Sequence, residues 1–232
     1  MTTRSAGEPS AELLSFDSEF WGVRIAKAPA LMDDWALDNT IGCMWILIPA
    51  SEQADIHRAE QNGARVMDIR VELERGTDPV LSYARPFNKT DVGPLAAISR
   101  TAFRGLTRFY ADPRFPDERC DDLYENWLRQ SADGWAEEIL VLDDADGPVG
   151  FVTVHADDDH AWIGIIAVAE HIRGSGGGVS LTQSAVDWAY HRKVPRISVA
   201  TQACNIPAQR AFQRAGFLAT KTDIWLHKHF YD

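Results

Sequence analysis

The sharpest pattern along the chain is an unbroken apolar run, Trp162-Ile163-Gly164-Ile165-Ile166-Ala167-Val168. A polar, glycine-rich stretch follows it, and then Leu181, Ala185, Trp188 and Ala189 recur at helical spacing. Continuous rather than alternating apolarity predicts a buried strand, and the spaced set predicts an amphipathic helix reaching about residue 193. Behind that helix, residues 196–200 alternate as a strand. Asn205 then caps a short helix in which Pro207 falls early enough to be tolerated. Gly216 supplies the left-handed residue that stops it, and residues 224–230 read as a closing strand.

The same order occurs earlier in the chain. Residues 45–48 predict a strand, residues 51–61 a helix stopped by Asn62-Gly63, and residues 66–73 an alternating strand. The polar stretch Arg75-Gly76-Thr77-Asp78-Pro79 marks a boundary, dividing the chain into residues 1–78 and 79–232. The first segment reads as a truncated, degenerate echo of the second, or as a chance recurrence of a common strand–helix–strand unit. It lacks the glycine-rich stretch. In the second segment, residues 80–85 predict a first strand, 91–103 and 121–130 two helices, and 138–142, 149–155 and 161–168 a meander. The acidic turn at Asp157-Asp158-Asp159, beside His155 and His160, has no fixed ligand spacing. It is expected to be a solvated turn, and no metal site is expected.

Composition removes several function classes. With 45% apolar residues and eight tryptophans the chain can bury a core, so global disorder is excluded. A net charge of −11 argues against nucleic acid or an anionic membrane as the main partner, while permitting a local basic pocket. No apolar run reaches the roughly 18 residues of a spanning helix, and the first residues lack a signal pattern. Cys43, Cys120 and Cys204 are scattered, as reduced thiols would be, and the expected location is cytoplasmic.

The chemistry centres on Arg173, Gly174, Ser175, Gly176, Gly177 and Gly178, set between the apolar strand and its helix. Amides of a first helical turn lack internal partners and carry the positive end of the helix dipole. Glycines let a phosphate approach them. Residues 85–232 resemble the GNAT superfamily of N-acyltransferases. Its pyrophosphate motif stands here as Arg173, Gly176 and Gly178, and its second motif as Asn205, Ala208, Phe212, Gly216 and Phe217. Three patches further resemble the TDP-fucosamine acetyltransferases: residues 16–22, residues 108–114, and Trp225-Leu226-His227.

The resemblance implies an α/β fold with a mixed central sheet, splayed at the CoA site and flanked by helices, behind a smaller truncated half-domain of the same type. It implies direct transfer of an acetyl group from acetyl-CoA to a small-molecule amine, foremost that of a nucleotide-linked deoxyamino sugar. It places the pantetheine arm on the backbone of Ile166, Ala167 and Val168, with Asn205, Ala208 and Phe212 beside it. It also sets the closing strand next to the strand that bears Ser198.

Phe212 departs from the pattern. The family often has a tyrosine there whose phenol protonates the leaving thiolate, and a missing acid costs on the order of 10²–10³ in rate. His227 and His155 are the candidate substitutes, each with an equally good structural reading. A non-catalytic acyl-CoA-binding module, or an enzyme acting on another amine, are the rival functions. Arg104, Arg108, Tyr110 and Arg114 are the candidate contacts to a sugar-nucleotide diphosphate, against the alternative of an ordinary surface loop. Exposed apolar strands in the first segment offer a surface for a homodimer.

Overall fold

The computed structural model describes residues 11–28 and 40–231, so the first ten residues, read above for a targeting signal, lie outside it. The strands are β1 (Glu12–Leu13), β2 (Ile25–Ala28), β3 (Cys43–Pro49), β4 (Arg65–Gly76), β5 (Arg85–Pro86), β6 (Glu138–Asp144), β7 (Gly147–Ala156), β8 (Ala161–Val168), β9 (Arg196–Gln202) and β10 (Leu218–His229). The helices are α1 (Ser15–Trp21), α2 (Gln53–Gln61), α3 (Val92–Ala102), α4 (Arg108–Ala111), α5 (Asp117–Gln130), α6 (Gly177–His191) and α7 (Ile206–Arg214). Among the described residues all the strands join one ten-stranded sheet in the order β1-β2-β3-β10-β4-β9-β8-β7-β6-β5.

Two strand–helix–strand units, β3–α2–β4 and β9–α7–β10, share the middle of this sheet with their second strands exchanged. β4 pairs antiparallel with β9, β10 pairs antiparallel with β3, and β4 and β10 lie against each other. The residues on either side of position 78 therefore contribute to the same sheet. The closing strand does not lie beside the strand of Ser198, as the resemblance implied. Glu74 of β4 stands opposite Ser198, and β10 is one place further out. The cause lies in β4 itself, which has Val71 and Leu73 opposite Thr201 and Val199. Both join the core under α6 and α7, which would lose a wall without them.

The strand expected over residues 80–85 is also shorter, reduced to Arg85 and Pro86. Backbone amides ahead of it turn to side chains of α6: Val80 N–H to Asp187 Oδ1 (3.4 Å) and Ala84 N–H to Ser184 Oγ (3.3 Å). Pro86 itself can donate nothing to a ladder.

Side chains alternate across the sheet and fill four buried clusters. On one face, α6 and α7 cover Val152, Val154, Ile163, Ile197, Val199 and Phe217, and α2 covers Ile46, Ile48 and Leu226. On the other, α3 and α5 cover Val141, Phe151 and Ile165, while α1, α4 and α5 pack aromatic rings on Cys43 and Trp45. Between the last two clusters the sheet carries Glu72, Glu74, Ser198 and Ala200 on one face of β4 and β9; Ala200 is exposed, the two glutamates are half-buried and Ser198 is buried. This strip is the floor of a cleft. Among the described residues no helix is long and apolar enough to cross a membrane.

Because β4 is bonded on both edges to strands of the later segment, residues 79–232 expressed alone should show no cooperative urea transition. Adding a peptide of residues 40–78 should restore one. Circular dichroism across a urea titration checks this.

Candidate functional site

β8 and β9 run parallel and are paired only at Ala161–Ile197, Trp162–Ser198 and Ile163–Val199, beyond which they part. A bulge marks the parting. Val152 and Val154 of β7 face Ile166 and Ile163, so β8 carries an extra residue at Gly164-Ile165. The Ile165 amide leaves the ladder for Thr153 Oγ1 at 2.8 Å. Since Ala169 N–H bonds Val149 O (2.7 Å), the amides of Ile166 and Val168 point away from β7, into the gap, and that of Ala167 points to β7. Of the three residues expected to line the gap, two thus offer it unpaired backbone groups.

The glycine-rich stretch closes one end of the gap. Gly176, at φ 101°, caps α6, and Ser180 N–H takes the first helical bond, to Gly176 O at 3.0 Å. The amides of Gly177, Gly178 and Val179 precede it and are left without helical partners. Gly174 is also left-handed, at φ 85°. Ser175 Oγ is turned inward onto Ile172 O (2.7 Å), while the Arg173 side chain is exposed. Unbonded amides at a helix start fit a phosphate group, and a side chain at Gly177 would collide with Ile172 at 2.9 Å. Along the other side of the gap, Asn205 Oδ1 accepts from Ala208 N–H (3.2 Å) and caps α7 as expected. A methyl on Gly178 would meet the Ala211 methyl of α7 at 3.7 Å, an ordinary packing distance. Phe212 is only 2% exposed and belongs to the core, so its ring packs and offers no proton.

The two candidate histidines sit in different settings. His155 ends β7 beside the bulge, its ring stacked on Trp162 at 5.4 Å. A methyl at Gly164 would lie 2.6 Å from its Nε2, so the absence of a side chain there makes room for the imidazole. Its Nδ1 lies 3.7 Å from Glu137 Oε2. Burial lowers its pKa, so the ring is neutral and basic at neutral pH. His227 is stacked over Trp45 at 5.6 Å, its direct partner across β3 and β10. Its Nδ1 donates to Asp112 Oδ2 (2.7 Å) and its Nε2 faces Arg108 Nη1 (3.4 Å), so both nitrogens are engaged. Burial lowers His227 to about 4 against the pull of Asp112.

The four expected diphosphate contacts do not converge. Arg104 and Tyr110 both bond Asp121 of α5, Tyr110 through its hydroxyl at 2.7 Å. Arg114 donates to Tyr231 O at 2.8 Å. Arg108 alone lies among the aromatic rings, its guanidinium 4.0 Å from the Trp45 ring and 4.3 Å from that of Trp225. Sequence reasoning missed Asp112, the C-terminal neighbour of α4. Its Oδ2 accepts from His227 and also from His229 Nε2 (2.7 Å), and its Oδ1 accepts from Arg114 N–H (3.1 Å). Burial pushes the Asp112 carboxyl up, but the two histidine hydrogen bonds outweigh that and hold it well below the usual range. The pattern His-x-His at residues 227–229 on an alternating strand was the available signal, since it puts both rings on one face.

Residues 101–217 match the acetyltransferase (GNAT) family. The chain is 28% identical over 233 residues to the dTDP-fucosamine acetyltransferase of Escherichia coli O6:H1 (strain CFT073), spanning 94% of this chain and 98% of that one. It is 21% identical over 137 residues to a spore coat polysaccharide biosynthesis protein of Bacillus subtilis, across 59% of this chain and 47% of the other. Among solved structures, a conserved protein of unknown function from Staphylococcus epidermidis shares the fold with a TM-score of 0.68 at 13% identity, over 98% of this chain and 93% of that one. A GCN5-related N-acetyltransferase from Sphaerobacter thermophilus gives 0.58 at 20% identity, over 81% and 59%.

The buried Asp112–His227 pair predicts acid lability of a definite sign. Both groups are depressed in the folded chain, so the unfolded chain takes up protons first, from about pH 6.5 downward for a histidine and below about 4 for a carboxylate. Stability should fall by on the order of 2–3 kcal/mol between pH 7 and 4. The His227→Gln variant should flatten the upper part of that fall, as read from urea midpoints against pH.

Proposed function

The chain belongs to the acetyltransferase (GNAT) family and is an acetyl-CoA-dependent N-acetyltransferase, and on that premise we propose that its acceptor is the amine of a nucleotide-linked deoxyamino sugar. The observation that carries this reading is the extent of the similarity to the Escherichia coli dTDP-fucosamine acetyltransferase, which reaches 94% of this chain. Family membership accounts for residues 101–217. The likeness therefore runs on through most of the part that supplies α1, β3 and β4, the elements that wall and floor the acceptor cleft. The name of the Bacillus subtilis relative, in polysaccharide biosynthesis, agrees with sugar chemistry.

The geometry supports a direct transfer in which each part has a task. The α6 amides of Gly177, Gly178 and Val179 and the exposed Arg173 hold the CoA pyrophosphate. Backbone groups of Ile166 and Val168 hold the pantetheine arm. One of these N–H groups polarises the thioester carbonyl, the kind of preorganised donor worth about 10²–10³ in rate. Acetyl-CoA supplies the activated acetyl group. His155, neutral and seated at the bulge, takes the proton that the attacking amine must lose. Phe212 leaves the thiol without a phenol donor, and a thiolate of ordinary pKa, about 8.5, departs without one.

The test is thiol release from acetyl-CoA with TDP- and UDP-linked amino sugars beside simple amines. Turnover should be confined to the nucleotide-linked sugars, and equal turnover of simple amines would overturn the acceptor assignment. In the same assay His155→Gln should lower kcat by about 10²–10⁴ with little change in the KM for acetyl-CoA. The wild-type kcat/KM should decline only as pH falls below about 6.5, since the ring must be neutral. Gly176→Val, placed where φ is 101°, should instead raise the KM for acetyl-CoA at least about tenfold.

A further inference from the structure

We propose that Trp135 and Trp162 form the platform on which the sugar ring of the acceptor lies, with the Ser198 hydroxyl beside it and the amine delivered to His155. The inference rests on the acceptor reading above and deepens it.

One row of side chains crosses the sheet at this point. Glu74 of β4 stands opposite Ser198 of β9, Ser198 opposite Trp162 of β8, and Trp162 opposite His155 of β7. Directly opposed residues share a face of a sheet, so all four belong to the face that floors the cleft. Glu137 closes the row just ahead of β6, where its amide donates to Val154 O at 3.0 Å and its Oε2 accepts from Ala156 N–H at 3.1 Å. Ser198 and His155 flank Trp162 from two strands apart, about 10 Å across the sheet, which a pyranose with its substituents can bridge.

Trp135 arrives from a different element. α5 runs into one wide turn, Ser131–Trp135, pinned where Ser131 Oγ donates to Trp127 O at 2.8 Å and bent at Gly134, whose φ is 106°. Turns of this kind are rare and recur at functional sites. The turn sets the Trp135 ring at a steep angle to His155, 5.2 Å away, while Trp162 stacks on the same imidazole at 5.4 Å with the planes 8° apart. Both indoles spend part of their surface on the imidazole and leave the rest open: Trp135 is 53% exposed and Trp162 39%. Ser198 is only 5% exposed, and among the described residues its hydroxyl has no hydrogen-bond partner. A ligand hydroxyl would satisfy it.

Shape and polarity choose the ligand here, because the charges are mixed. Glu74 and Glu137 stand at the two ends of the row, and Glu72 is taken by Arg70 at 2.7 Å. Arg196 lies two residues before Ser198 on the same face, His160 stacks on Trp162 at 6.0 Å, and the imidazole between the indoles is neutral. A pyranose offers C–H bonds polarised by its oxygens, which are drawn to the electron-rich faces of the indoles, and hydroxyls that reach Ser198. With the ring so placed its amine meets His155. The Nε2 of that ring occupies the space Gly164 leaves, 2.6 Å from where a side chain would begin, and its Nδ1 faces Glu137. The nucleobase, a pentose and two phosphates further along, is out of reach of indoles that both touch this imidazole.

The experiment uses Trp135→Leu, Trp135→Phe and Trp162→Leu in the full chain, with urea midpoints recorded to confirm folding; the Trp135 variants decide alone if Trp162→Leu does not fold. In the leucine variants the KM of the nucleotide-linked amino sugar should rise about five- to tenfold, while the KM of acetyl-CoA and the Ki of free TDP stay within about twofold. Trp135→Phe, which keeps a ring face, should recover most of the loss. A lowered kcat with an unchanged acceptor KM would overturn the proposal, since the indoles would then serve only to hold the imidazole. A raised Ki of TDP would overturn it too, because the base would occupy the platform. The second probe is the methyl glycoside of a deoxyamino sugar, observed by saturation-transfer NMR with the protein's aromatic protons irradiated. Transfer to its ring C–H protons should be seen with the native chain and lost with the leucine variants. If that holds while no sugar nucleotide is turned over, the platform stands and the acceptor reading falls. Transfer that survives in the variants, or is absent from the native chain, means the platform is wrong.

Discussion

β4 is bonded along both edges, to β9 on one side and β10 on the other, and most of the chemistry above depends on that placement. It puts Val71 and Leu73 into the core beneath α6 and α7. On its opposite face it carries Asp68, Arg70, Glu72 and Glu74 across the floor of the cleft. It also moves β10 outward, so that Trp225 and His227 meet β3 and its Trp45 rather than the edge of β9. The gap between β8 and β9 needs β9 to be firmly paired on one side while parting from β8 on the other. β4 is the strand that supplies the firm side.

Asp112 does for the wall of the cleft what β4 does for its floor. A single buried carboxylate accepts from two imidazoles on β10 and from a backbone amide of its own turn. The α4 turn and the last strand are thereby fastened together, and Arg108, four residues earlier, is fastened with them through His227. Such a carboxylate is costly to bury and becomes favourable only when its hydrogen-bonding capacity is met, as it is here. The aromatic packing of Trp21, Phe109 and Phe115 then excludes water from the back of the pair.

What the sequence made legible was local. The run from Trp162 to Val168, the glycines before α6, the Asn205 cap and the Gly216 stop each carry their information within a few residues. All four stand where the pattern put them. The exchange of β4 and β10 was not legible, because both are alternating strands of similar composition and either could extend β9 as far as periodicity can tell. The partners of the arginine cluster were not legible for a related reason. Arg104, Arg108 and Arg114 look equivalent along the chain, yet Asp121 binds the first, aromatic rings surround the second, and the Tyr231 carbonyl takes the third. Partner choice among side chains is decided across the fold, and a single sequence does not display it.

The exchanged strands also bear on how the molecule comes into being. A ribosome releases β4 well before β9 and β10 exist, and at ~5–20 residues per second the intervening roughly 120 residues take about 6–24 s to emerge. Throughout that interval a twelve-residue strand waits with both hydrogen-bonding edges open and its core-facing Val71 and Leu73 uncovered. Charged side chains punctuate it: Arg65, Asp68, Arg70, Glu72, Glu74 and Arg75 leave no long neutral stretch for another nascent chain to zip onto. The residues that later line the cleft thus serve first as guards against mispairing during synthesis.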